Sequence, residues 1–171
     1  MDRVCFTMRV AREHIPRYVE MHRRAWPELL LGLHSTGWQN YSLFLRPDGT
    51  LVGYWESADA EASMAAMAEV GISAQWSVEM DRLVVPGSIM SYPTLTRTLG
   101  PTGAGGGERY LVVLEPGHPF VASDEHFGRL AEFITEAGER VLYGELASGA
   151  AVPESTFAEV FNLDALLKGH S

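Results

Sequence analysis

The sequence predicts an α+β protein, and three observations carry that prediction. Residues 4–10 alternate apolar and polar side chains with the period of a strand. Two stretches of helical period follow, one from about residue 14 and one from about residue 58. Between them, Arg46-Pro-Asp-Gly49 is a turn signal joining two runs rich in aromatic and aliphatic residues.

In the first run, Val4, Phe6, Met8 and Val10 share one face, with Cys5, Thr7 and Arg9 on the other, as in a half-buried strand. Next, Ile15, Tyr18, Val19 and His22 recur on one side of a helix, and Arg17, Glu20, Arg23 and Arg24 fall largely on the other. Pro16 suits the first helical turn, whereas Pro27 should break the helix near Trp26. A second helical piece over 27–34 ends at Gly37, a left-handed stop. Residues 38–45 and 51–56 make a hairpin. Ser57 is expected to cap a helix over 58–70 that Gly71 stops, and Ser73 to cap a further turn carrying Trp76, Met80 and Leu83.

The order β-α-β-β-α is one strand short of a split βαβ, or ferredoxin-like, unit. Residues 110–114 and 157–163 are the two candidates for the missing strand. The stretch 86–107, rich in Pro, Gly, Ser and Thr, reads as a flexible linker. Beyond it the expectation is a strand at 110–114, a helix opened by Ser123-Asp124-Glu125 and running to about Ala137, a short strand over 140–146, and a loop over 148–156.

Composition narrows the function. The chain has 171 residues, 46% hydrophobic and 20% charged, with a mean hydropathy of −0.02, which is ordinary for a globular protein. No run reaches transmembrane length, and a strand pattern begins within four residues of the start, so a cytoplasmic protein is expected. The net charge of −9 comes from 8 basic and 11 acidic residues in 1–87, against 5 and 11 in 88–171. Such a balance argues against a nucleic-acid or membrane surface and for a small, uncharged ligand. The single cysteine, Cys5, has no partner for a disulfide, and the six histidines lack ligand spacing, so no metal is expected. The glycines of 103–107 are not followed by the Lys-Ser/Thr of a phosphate loop, and there is no Gly-x-Ser-x-Gly elbow.

Tyr18 and His22, four residues apart on one helical face, are the best handle on chemistry. Taken alone, such a pair is more often packing. A Trp such as Trp76 is likewise more often core, and Tyr41 an edge-strand aromatic. Imidazole exchanges protons near neutral pH, a phenol donates and accepts hydrogen bonds, and an indole can wall an apolar ligand face. Trp26 and Trp55 are read as packing residues. His14 and His34 fall near helix ends, and His118 and His126 lie in the later segment, where His126 beside Asp124 is a weaker acid/base candidate.

Five blocks together are more specific: Tyr18 with His22, Trp26-Pro-Glu28, Gly37-Trp-Gln-Asn-Tyr41, Gln75-Trp76, and Phe157-Ala-Glu-Val-Phe161 with Leu163. In type and order they resemble the L-rhamnose mutarotase family, continuously over 1–84. The resemblance implies a ferredoxin-like βαββαβ unit forming a dimeric α/β barrel, here with an extra strand-helix-strand insertion before the last strand. It implies a homodimer formed through the sheet, and residues 157–163 as the fourth strand. It also implies interconversion of sugar anomers without a cofactor, with His22 as proton donor and Tyr18 and Tyr41 holding the sugar. Trp76 matches the first of a family tryptophan pair, but Ser77 stands where the second is expected.

Residues 88–156 have no counterpart in that compact pattern. On this basis 1–87 plus 157–164 form the mutarotase-like domain, and 88–156 an inserted linker and βαβ-like segment, whose strand, helix and 138–146 stretch together faintly resemble half of a YCII-related domain. Two other functions are compatible with the same cavity: a barrel cyclase, isomerase or oxygenase acting on an aromatic or polyketide-like molecule, and a non-catalytic small-ligand module.

Overall fold

The computed structural model describes residues 1–88 and 90–169. Strand β1 (Asp2–Arg9) leads into helix α1 (Ile15–Arg23), with Pro16 in its first turn. Pro27 opens α2 (Pro27–Ser35) after a break, as its missing N–H demands. Gly37, at φ +94°, turns the chain into β2 (Gln39–Leu45). The turn to β3 (Thr50–Ser57) closes through Gly49 N–H to the Arg46 carbonyl, 2.9 Å. Helices α3 (Ala60–Ala68) and α4 (Gly71–Asp81) follow. The cap of α3 is Asp59, whose carboxylate accepts from Ala62 N–H at 3.0 Å. Ser57, the expected cap, instead accepts from Asp59 N–H and bonds Ser63. Gly71 starts α4 rather than stopping α3.

Strand β3 lies between β1 and β2, antiparallel to both, which is the split arrangement expected. Residues 157–163 do supply a strand, β8 (Ala158–Asn162), but it joins the outer edge of β2. A split βαβ would end with a strand beside β1. That edge is instead held by bridges from the chain leaving α4, Val84 to Val10 and Ser91 to Thr7. Helix α5 (Leu163–Gly169) closes the chain.

The inserted segment departs most from expectation. It forms a second antiparallel sheet in the order β4-β6-β7-β5: β4 (Thr94–Leu99), β5 (Arg109–Leu114), β6 (Phe127–Ile134) and β7 (Arg140–Leu146). There is no helix over 125–137. Leu, Ala and Glu are good helix formers, but propensity is worth only a fraction of a kcal/mol per residue, and pairing of β6 with strands on both sides overrides it. Nor is 86–107 a loose linker: it contains β4, and its glycine turn is clasped by two carboxylates. Gly103 N–H donates to Glu56 at 2.7 Å, and Gly105 N–H to Glu145 at 2.7 Å.

The molecule is therefore layered as helices, first sheet, second sheet and covering loops. Along β3, Leu51 and Trp55 enter the core under the helices, while Val52 and Tyr54 enter the core between the sheets. Along β5 and β7, Leu111, Val141 and Tyr143 face that same inter-sheet core, and Tyr110, Val112 and Leu142 pack outward with Phe120 and Ala122. The sheet face through which a homodimer was expected is thus covered by the chain's own second sheet. The fold is α+β, with a ferredoxin-like first half and a barrel-like pairing of two sheets. Among the described residues no helix is long and apolar enough to cross a membrane.

Candidate active site

All four residues singled out from the sequence, Tyr18, His22, Tyr41 and Trp76, line one cavity of about 530 Å³ between the helices and the first sheet. His22 sits in the last turn of α1 and is 4% exposed. Its ring stacks on Tyr18, one helical turn earlier, with centroids 4.1 Å apart. Trp76 from α4 meets the imidazole edge-on at 5.2 Å, and Phe161 from β8 does so at 5.8 Å. Tyr41 lies 5.2 Å from Phe161, and Trp38 5.1 Å from Tyr41.

The imidazole is oriented by the backbone. Its Nδ1 lies 2.8 Å from the Tyr18 carbonyl. A carbonyl only accepts, so Nδ1 carries the proton and Nε2 is left as a lone pair. Burial pulls the His22 pKa down to about 4, opposed by the carbonyl hydrogen bond. At neutral pH the ring is therefore an uncharged base. Burial raises the Tyr18 phenol well above its ordinary value, and the neighbouring Tyr41 adds to this. Tyr41 is raised likewise, by burial first and then by Tyr92. Both phenols stay protonated as donors, and neither hydroxyl has a protein hydrogen-bond partner among the described residues.

Tyr41 is aimed by a bulge. Between Gln39 and Ser42 the strand carries one residue more than its partner, and Asn40 takes φ +48°, which asparagine tolerates better than most residues. Its side chain is fixed on the opposite face, donating to Glu56 at 3.1 Å and accepting from Tyr143 at 3.2 Å. Tyr41 is thereby directed to the helix side.

The sequence reading missed Trp38, Phe161 and a methionine lining. Met8, Met64, Met67, Met80 and Met90, five of the seven methionines, border the cavity. Phe161 had a signal in its block but no spacing that would place it near His22, because 139 positions separate them. Trp26, read as packing, stands edge-on to Trp76 at 5.1 Å and supports it. Ser77 also lines the cavity, with Asp81 at its exposed rim. A wider groove of about 870 Å³ along α1 and β8 also reaches His22, but of the four predicted residues it contains only this one. The convergence of side chains, rather than size, makes the smaller cavity the candidate site.

His126, the weaker candidate, is engaged locally. Its Nδ1 accepts from Ser123 N–H at 3.1 Å and lies 2.9 Å from the Ser123 hydroxyl, closing a turn. Among the described residues no group of His, Cys, Asp and Glu is arranged to hold a metal ion.

Comparison with known proteins agrees with this picture. A family model described as L-rhamnose mutarotase matches residues 3–96. The L-rhamnose mutarotase of Oceanobacillus iheyensis is 36% identical over 77 residues, covering 44% of this chain and 73% of that one. That of Paraburkholderia phymatum is 32% identical over 76 residues, covering 44% and 70%. Among solved structures, an L-rhamnose mutarotase from Formosa agariphila aligns with a TM-score of 0.45 at 23% identity, over 54% of this chain and 92% of that one. A putative monooxygenase from Fusobacterium nucleatum aligns with a TM-score of 0.54 at 7% identity, over 84% and 74%, a likeness of fold that extends past the family match. With more than half of its length matched by the family model, the chain belongs to the L-rhamnose mutarotase family.

Proposed function

We propose that this chain is an aldose mutarotase, an isomerase acting on L-rhamnose or a related deoxysugar with His22 as its acid/base group. The observation that carries this is the fixed tautomer: Nδ1 is tied to the Tyr18 carbonyl, which leaves Nε2 unprotonated on a ring that lines a cavity walled by phenols and an indole. In ring opening, Nε2 takes the proton of the anomeric hydroxyl, the ring C–O bond breaks, and the ring oxygen takes a proton from the imidazolium or from a phenol beside it. Rotation about C1–C2 and the reverse steps on the other face give the second anomer. Nothing is consumed, so no cofactor is required.

Tyr18 and Tyr41, held protonated, donate to sugar oxygens, and Trp76 covers a C–H face of the ring. The methionine-rich lining suits the methyl group that a 6-deoxysugar carries in place of a hydroxymethyl. That same lining favours a second reading, an isomerase or cyclase acting on a more apolar aromatic molecule.

Exchange NMR on L-rhamnose separates the two. The wild-type protein is expected to accelerate anomer exchange, and His22→Ala to lower the rate by about 10²–10⁴-fold. Tyr18→Phe is expected to cost up to about tenfold, the worth of one neutral hydrogen bond. Folded wild-type protein that leaves the exchange rate unchanged refutes the sugar reading. Binding of an aromatic ligand in that case supports the second.

A further inference from the structure

We infer that the second sheet serves this chain as a built-in second half, which closes the first sheet and, through Arg109, holds the strand that places Phe161 on His22, so that one polypeptide is complete as a monomer. The first sheet's face away from the helices is buried: Cys5, Phe44, Val52 and Tyr54 are each 2% exposed or less, packed with Leu111, Phe133, Val141 and Tyr143. No open sheet face remains there for a second copy. The polar groups in this seam are answered within the first sheet and, through Gly103 and Tyr143, across to the second segment. The Glu56 carboxylate accepts from Tyr54 OH at 2.8 Å, from Asn40 at 3.1 Å, and from the Gly103 backbone at 2.7 Å. Parting the sheets would strip the Glu56 carboxylate of a donor and Asn40 of its Tyr143 contact.

Arg109 links the seam to the site. It starts β5, bonds the Ser42 hydroxyl on β2 and Tyr143 OH at 3.1 Å, and reaches Glu159 on β8 at 3.8 Å and Asp164 on α5 at 3.9 Å. It thus spans both sheets and fixes the outermost strand, whose Phe161 faces His22 from the other side of β2's edge. Arg109 touches no substrate cavity and is a positioning residue.

The test needs no sugar and so stands apart from the mutarotase reading. Sedimentation of the full chain from micromolar to near-millimolar concentration is expected to give one species of 18.8 kDa. A species of twice that mass at the lowest concentration overturns the inference. In the second arm, NMR follows the His22 ring through a pH titration. In Arg109→Gln the midpoint is expected to move up from about 4 toward the ordinary 6.5, as Phe161 loosens and water reaches the ring. Arg109→Lys, which keeps the charge but loses the fork, should fall between them. A wild-type midpoint in folded Arg109→Gln overturns the positioning role. Should that variant not fold, Glu159→Gln with Asp164→Asn, both at partly exposed side chains, carries the same expectation and the same refutation.

Discussion

At the scale of the residue, His22 couples stability to pH. Burial lowers its pKa from 6.5 to about 4, so between those values the unfolded chain binds a proton that the folded one refuses. The contribution is complete above pH 6.5, falls as pH drops toward 4, and levels below that. It amounts to something on the order of 3 kcal/mol. Urea denaturation of wild type and His22→Ala across this range is expected to give a difference curve that is flat above 6.5 and slopes between 6.5 and 4. Subtraction is needed because surface carboxylates titrate nearby. A flat difference throughout would mean that the imidazole is hydrated in the folded protein. For the proposed acid/base role the same burial cuts both ways: the ring is neutral and free to take a proton but is a weaker base than an ordinary imidazole, and its charged form is a stronger acid that returns the proton readily.

At the scale of the element, close approaches decide where side chains go. Gly53 in β3 lies under the Phe6 ring of β1: a Cβ there would sit 2.1 Å from Cζ and 2.4 Å from Cε1. Gly53→Ala should therefore push Phe6, which lines the cavity, and lower stability by about 1–3 kcal/mol in a denaturant melt. Adding Phe6→Leu should recover part of the loss, and an alanine variant as stable as wild type would refute the packing argument. Elements of this first half were legible because punctuation and period agree: Pro27, Gly37 and Gly49 mark breaks at places where the apolar pattern also changes. The gathering of Tyr18, His22, Tyr41 and Trp76 was legible only through the block resemblance. Phe161 was not, because its position depends on which edge β8 joins. The strand β6 was misread for a related reason. Buried on both faces, with Phe127 and Leu130 outward and Ala131 and Phe133 inward, it shows no alternation of apolar and polar, and its Leu-Ala-Glu run points locally to helix.

At the scale of the whole molecule, the shared core between the sheets makes the insertion part of one folding unit rather than an appendage. All four tryptophans, Trp26, Trp38, Trp55 and Trp76, belong to the helix-side core, so their fluorescence reports on the first half alone. Phe133 belongs to the second sheet, is 1% exposed, and meets Tyr54 of the first sheet edge-on at 6.1 Å. Its removal leaves a cavity in the inter-sheet core, and Phe133→Ala should cost about 3–5 kcal/mol. If the halves unfold together, tryptophan fluorescence and far-UV circular dichroism in Phe133→Ala will trace a single transition, displaced by the same amount in both probes. If the second sheet were an independent domain, the tryptophan transition would stay where it is in wild type, while circular dichroism would split into two. The seam argues for the first outcome: Tyr54 stacks on Tyr143 at 3.9 Å and shares Glu56 with the Gly103 turn, so the first sheet cannot keep its native face once the second has left.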